Sequence, residues 1–465
     1  MKRIISILLV VTMAISMFLI TGCSKKTNDD ETVRISVGAW PAVEGKALER
    51  YNDFKVRFEE KFPNVVIEPS TWLFDRQSFY AKAAGGQLPT VSSCGLTEIG
   101  TLLESGYIED VSDGLKRAGY YDLIDKRFLD VIEEDGYVAG IPSSCYTLGI
   151  AYNVSLFKEA GLMNEDGTPK APTTWEELAE TAKIIKEKTG KAGVVFPTSS
   201  NCGGWYFTPL AWSFGTEFMK KNEDGKWIAT FNSPECIAAL QYIKDLKWKY
   251  DVLPSGVLVD NEELNKQFAS GSAAMSIAPS NFPAKVKKYG IKNEDIGMFG
   301  IPRGPERHVT LLGGGVRIIP KGATAEQIDA CIEWLAFVGE VAPYINDESK
   351  AALDSSYEIM SENGDHIGIK TMSAWGGNSE YDKYVDGLIN KYRSVEENYY
   401  KLYNDSLTNQ ELEIQPEEPV CAQELYALLD NCMQEVLGDK NADCAKIIEN
   451  AARQFQVNYL DKYAE

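Results

Sequence analysis

The chain has 465 residues, 44% hydrophobic and 25% charged, with a formal net charge of −21. Such a composition belongs to globular proteins and gives room for two or three domains, so a disordered chain is excluded. The acidic balance repels phosphate backbones and anionic headgroups, which makes nucleic acid a poor partner.

In chain order, Lys2 and Arg3 precede an apolar run from Ile4 to Ile20, and Ile20-Thr21-Gly22-Cys23 closes it with small residues and a cysteine. A basic start, an apolar middle and small residues at a cleavage point describe a secretory signal peptide over residues 1–23. The run of about 17 residues lies at the lower edge of what spans a bilayer, so a signal anchor is the alternative. The cysteine resembles that of a bacterial lipoprotein lipobox. This resemblance implies that Cys23 carries the lipid and that the rest of the chain works at the outer face of the cell membrane, since two acyl chains suffice for stable anchoring. Residues 24–31 read as a polar tether. No later apolar run is long enough to span a membrane.

Beyond the tether, short β-rich runs alternate with amphipathic helices, which predicts an α/β fold with largely parallel sheets. Val33 to Val37 alternates as a first strand, and Ala47, Leu48, Tyr51, Phe54 and Phe58 mark one face of a helix. Val65 to Ile67 begins a second strand. A helix over 78–84 ends at Gly85-Gly86, and Thr90 to Cys94 is a third strand. Thr174-Trp175-Glu176-Glu177 and Thr324-Ala325-Glu326-Gln327 predict capping boxes that open helices. Further strands are expected near Val194, Ala273, Ile296 and Val316. The segment 340–465 is largely helical in pattern and rich in tyrosine, with Gln415-Pro416-Glu417-Glu418-Pro419 as a surface loop.

The chemistry-bearing residues point to binding. The first two strands run into Trp40 and Trp72, with Glu44 and Asp75 nearby. In open parallel sheets ligands sit outside the carboxyl ends of strands. Tryptophans there suit a ligand with apolar faces, such as a pyranose, although packing beneath loops is an equal alternative. Trp205 and Tyr206 follow Gly203-Gly204, and Trp375 precedes Gly376-Gly377. Both sets read as loop aromatics beside glycines that permit close backbone approach. Trp212 and Trp248 read as core. The run Gly313-Gly314-Gly315 lacks the Lys and Ser/Thr of a phosphate loop and suits a cleft or hinge. The chain holds nine cysteines with no CxxC pair and only two histidines, His308 and His366, read as surface or loop residues. Mostly buried free thiols are expected, with no metal and no cofactor. No G-x-S-x-G elbow is present. A carboxylate pair for glycoside hydrolysis is left open by 68 acidic residues.

Several stretches occur in the order found in one family. These are Gly136-Tyr137-Val138-Ala139-Gly140-Ile141-Pro142, Leu148 to Asn153, Leu156 to Leu162, and Pro172-Thr173-Thr174-Trp175-Glu176-Glu177-Leu178. Phe268 to Met275 and Leu312-Gly313-Gly314-Gly315 follow. Together they resemble the family 1 extracellular solute-binding proteins of bacterial ABC importers, sugar and oligosaccharide type. The resemblance implies a two-lobed, periplasmic-binding-protein-like (type II) α/β fold with a hinge and an interlobe cleft. One lobe would hold 32–142 and 300–338, the other 144–298 and 341–465. Carried onto matching loops, it implies ligand contacts from Trp40, Trp72, Asp75, Thr97, Glu98, Tyr146, Trp205, Asn281, Gly314 and Trp375. Where many members carry an aromatic, position 281 is polar and the stretch 313–315 has none. It further implies no enzymatic step, a monomer, and an ABC permease as membrane partner. A polyamine or phosphate-ester ligand and a secreted glycoside hydrolase stand as rival readings.

Overall fold

A computed structural model describes residues 32–341, 346–376, 380–409 and 411–463. The signal sequence, Cys23 and the tether lie outside the described residues. Two hydrophobic cores organise the chain. The first gathers residues from Ile35 to Cys145 together with Leu312 to Val341, Ala352, Ala374 and Trp375. The second gathers residues from Leu148 to Ile301, then Val309, Leu311 and Val395 to Leu460.

The local elements follow from the sequence pattern. The strand Val33–Val37 pairs in parallel with Val65–Pro69, and the helix Lys46–Lys61 buries Phe54 and Phe58. Asp75 opens the helix Arg76–Ala84 by accepting from the Ser78 amide at 2.9 Å. Thr324 and Gln327 close a reciprocal capping box. The box at Thr174 is incomplete: Thr174 caps the Glu177 amide, but Glu177 Oε2 accepts from the Thr173 amide at 2.7 Å instead. Threonine hydroxyls on both residues compete for that region, and Thr173 Oγ1 also donates to the same carboxylate.

The lobes are joined by two long strands, Ile141–Asn153 and Val309–Ile318, which pair antiparallel. A strand of 13 residues spans roughly 40 Å, long enough to leave one core and enter the other. Ile141 and Cys145 belong to the first core, Leu148 and Ile150 to the second. The return strand runs from Val309 and Leu311 in the second core to Leu312, Val316 and Ile318 in the first. Between them the register slips: Gly315 faces Ser144 while Val316 faces Pro142, leaving Ser143 unpaired. Such a bulge bends and twists a strand locally, here at the junction of the lobes.

Four differences from the sequence reading follow. The main sheet is mixed rather than largely parallel, because a chain that crosses between lobes and returns pairs antiparallel with itself. The segment 300–311, expected in the first lobe, supplies Ile301, Val309 and Leu311 to the second core. The segment from 341 to 375, expected in the second lobe, supplies Val341, Ala352, Ala374 and Trp375 to the first core. The loop expected at 415–419 is also partly a strand, Glu413–Pro416, lying parallel to Val309–Leu312. No helix among the described residues is long and apolar enough to cross a membrane.

Candidate functional site

A cavity of about 570 Å³ lies between the lobes beside the crossing strand. Cys145 and Trp375 reach it from the first core, and Leu407, packed on the second core, faces it too. Tyr146 and Asn281 also line it. Tyr146 sits on the crossing strand opposite Gly313, and a Cβ on Gly313 would stand 2.1 Å from its ring. The glycine is therefore required for the ring to lie against the return strand. Burial pushes the Tyr146 phenol up to about 12, so it remains a neutral donor. Asn281 precedes the helix Phe282–Lys287 without capping it through its side chain, and it is exposed. Trp375 is almost wholly buried and meets Tyr120 edge-on at 6.2 Å. Its loop is held by the Asp125 amide donating to Ala374 O at 2.9 Å.

The cations among the lining residues are already paired. Arg127 makes a two-pronged contact with Asp125 at 2.9 and 2.8 Å. Burial opposes ionisation of Asp125, but the Arg127 guanidinium and amide outweigh it and hold the carboxyl below its ordinary range. Lys370 Nζ meets Asp386 at 2.6 Å. The lining carboxylate Glu340 receives Arg317 at 2.6 and 2.7 Å, and the Tyr51 hydroxyl at 3.2 Å. The lining cations are thus neutralised, and hydroxyl, amide and aromatic groups share the cavity wall with the Asp382 carboxylate.

The remaining sequence-derived candidates lie elsewhere. Trp40 is a core residue: its ring stacks on Trp334 at 5.8 Å and meets Tyr51 edge-on at 5.2 Å. A tryptophan after a strand end looks the same in sequence whether it turns toward a cleft or back under the sheet. Trp72 is half-buried beside Phe74, and Asp75 is spent on its helix cap. Gly314 lies within the return strand, where a Cβ would strike Ser144 O at 2.4 Å. Trp205 is on a helix, Cys202–Ser213, not in a loop. Its glycine neighbours admit another helix rather than a ligand. A Cβ on Gly204 would stand 2.2 Å from Tyr426 O, and one on Gly203 2.6 Å from Asp430 Oδ1. Asp430 in turn accepts from the Asn201 and Gly204 amides at 2.7 Å each, closing the positive end of that helix.

Thr97, Glu98 and Trp205 meet a set of residues that the sequence reading missed. The Tyr426 hydroxyl donates to the Glu417 carboxylate at 2.8 Å, and Thr97 and Trp205 beside it favour its charged form. Burial nonetheless raises Glu417 above the ordinary carboxylate range. Trp212 Nε1 donates to Glu418 at 2.9 Å, and burial lifts that carboxyl to about 7. Nearby, Arg76 Nη2 contacts Glu424 at 3.2 Å, Gln423 Nε2 donates to Glu98 at 3.2 Å, and Asn201 Nδ2 donates to Gln423 at 3.0 Å. Arg76 and Glu98 belong to the first lobe, Asn201, Gln423 and Glu424 to the second, so this chain of side chains ties the lobes together. Two glutamates between prolines carry no sign of burial in sequence; only the alternation of Leu412 and Ile414 hinted at a strand.

One minor expectation also changes, and the one for the cysteines holds. His366 is no surface residue: it packs on Tyr400, and burial pulls its imidazole down to about 4. The eight described cysteines are free, six of them buried.

The chain matches the family model for the bacterial extracellular solute-binding protein over residues 54–342. A protein of Brucella abortus (strain 2308) named as a binding protein is 24% identical over 280 residues, 60% of this chain and 64% of that protein. The arabinooligosaccharide-binding protein of Halalkalibacterium halodurans is 23% identical over 250 residues, 50% of this chain and 52% of that protein. The match thus spans less than two thirds of the length of either relative. Among solved structures, UgpB from Mycobacterium tuberculosis in complex with glycerophosphocholine superposes with a TM-score of 0.68. Its identity is 18%, with 93% of this chain and 100% of that chain covered. An ABC transporter solute-binding protein from Thermotoga lettingae bound with α-D-tagatose gives 0.65 at 19% identity, covering 91% and 98%. Maltose-bound T. maritima MalE3 gives 0.61 at 21%, covering 91% and 99%. These likenesses establish a periplasmic-binding-protein-like α/β fold. With the family match spanning more than half of its length, the chain belongs to the bacterial extracellular solute-binding proteins.

Proposed function

We propose that the protein is the lipid-anchored receptor of an ABC importer, capturing a neutral sugar or short oligosaccharide between its lobes and passing it to the permease. The observation that carries this reading is the cavity of about 570 Å³ whose Arg and Lys are both neutralised by carboxylates of the protein. A phosphate ester would need a free cation there, whereas a sugar asks for hydroxyl, amide and ring surface. Tyr146, Asn281 and Trp375 are the proposed ligand contacts. Because ligand would touch both lobes, it would favour the closed arrangement over an open one, and the strand bulge at Ser143 is the proposed point of flexure. Retention at the membrane through Cys23 would keep the receptor at high local concentration beside its permease.

A thermal-shift screen of the mature protein against sugars, polyamines and phosphate esters tests the ligand class. Binding to the native state alone stabilises by about 2.7 kcal/mol at a hundredfold excess over Kd. A shift with spermidine or a phosphate ester and none with any sugar would refute the carbohydrate reading. Consumption of an oligosaccharide at catalytic protein concentration would instead favour the hydrolase. Fractionation of cells expressing Cys23→Ala tests the anchor: the variant should leave the membrane fraction and still bind ligand.

A further inference from the structure

The tyrosine-rich C-terminal segment has a role that the interlobe contacts do not absorb. Helices Asp347–Glu362 and Glu380–Tyr392 pack on one another and form one flank of the cavity. Both lobes hold this hairpin. Lys46 of the first lobe pairs with Glu362, and Lys287 of the second meets Asp365 at 2.7 Å and Asn363 O at 2.6 Å. Within it, the Tyr384 hydroxyl donates to Asp354, and Lys370 pairs with Asp386. An element held by both lobes at residues 362–365 and braced internally can present side chains in fixed positions, as a selective site requires.

Tyr357 from the first helix and Tyr381 from the second line the cavity with Tyr146, Asn281 and Trp375. Tyr357 is also backed by a stacked ring, Tyr392, at 6.4 Å and 25°. Burial raises both phenols, so each hydroxyl stays protonated and able to donate. We propose that Tyr357 and Tyr381 are specificity-determining residues, their rings covering the C–H face of a pyranose or furanose and their hydroxyls bonding its hydroxyls. The inference rests on the reading of the protein as a sugar receptor. The chemistry is direct: aromatic faces are negative and attract the polarised C–H groups of a sugar ring. A site that hydrogen-bonds hydroxyls also discriminates strongly against ligands lacking them.

The test uses the mature chain with a pool of glucose, arabinose, maltose, maltotriose and arabinotriose, together with spermidine and glycerophosphocholine. Native mass spectrometry identifies what is retained, and calorimetry measures its affinity in Tyr357→Ala, Tyr381→Ala and the two Phe variants. The expected result is a retained sugar whose affinity falls at least tenfold in each Ala variant. Each Phe variant, which keeps the ring and loses the hydroxyl, should show a smaller loss and melt like the wild type without ligand. Should an Ala variant fail to fold, the Phe variants decide. Unchanged sugar affinity in the Phe variants and in any Ala variant that folds overturns the tyrosine assignment and leaves the receptor reading standing. Retention of spermidine or glycerophosphocholine alone, or of nothing, overturns the sugar reading and this proposal with it.

Discussion

Glu418 makes the stability of this protein depend on pH in an unusual direction. Its carboxyl is buried against Trp212 and lifted from 4.5 to about 7. The native state therefore holds the proton more tightly than the unfolded chain does. The stabilisation is fully present below about pH 4.5 and is lost as pH rises through about 7. With about 1.4 kcal/mol for each pH unit between folded and unfolded pKa, the loss by pH 8 is roughly 3 kcal/mol. Glu417, Glu98 and Asp430 are raised by burial as well and add to the trend, while Asp125 is lowered and opposes it. The comparison that isolates Glu418 is Glu418→Gln, whose amide oxygen still accepts from the Trp212 indole. Urea unfolding at pH 5 and pH 8 should show the wild type losing roughly 2.5 kcal/mol more than the variant between those values. Parallel pH curves for the two proteins would refute the reasoning, because they would mean that Glu418 ionises at its ordinary pH and is hydrated.

Other substitutions separate packing from binding. Trp40→Ala removes a ring stacked in the first core and should cost about 3–5 kcal/mol in denaturant unfolding; a variant that unfolds normally yet loses ligand would return Trp40 to the cleft. Gly204→Ala places a Cβ 2.2 Å from Tyr426 O, so helices Cys202–Ser213 and Ala422–Gly438 must part. A loss of about 1–3 kcal/mol is expected, and an unchanged urea midpoint would contradict that contact. Arg76→Ala breaks a partly exposed interlobe pair, worth about 0.5–1 kcal/mol. The closed fraction of ligand-free protein should fall severalfold, seen as a larger radius of gyration by solution X-ray scattering; an unaltered radius would mean that the pair does not hold the lobes.

Much of the local structure was legible because it depends on neighbours in sequence. The alternation of Val33 to Val37, the helical spacing of Phe54 and Phe58, and the Thr324–Gln327 cap all form where their patterns predict. Even there the Thr174 box shows the limit, since which amide Glu177 satisfies depended on a threonine one residue earlier. The two lobes were legible through the order of family stretches, but their membership was not. Ala352, Ala374 and Trp375 join the first core while Ile369 between them packs on the second, and helical periodicity does not say which core an apolar face will meet.

The candidate site divides along the same line. The family resemblance brought out Tyr146 and Asn281, and a tryptophan beside glycines brought out Trp375; all three line the cavity. The same signals named Trp40, which turns into the core, and Gly203-Gly204, which admit a helix more than two hundred residues away. They missed Glu417 and Glu418, because burial of a carboxylate depends on Trp205, Trp212 and Tyr426 arriving from other elements. By itself the sequence determined the local elements, the absence of a phosphate-loop signature and the family pattern, since each rests on residue type and short spacing. Only the tertiary structure decided which aromatic rings face the cavity, which charges cancel around it and which side chains tie the lobes together. Those depend on contacts between residues far apart in the chain, formed when two cores and their crossing strands assemble.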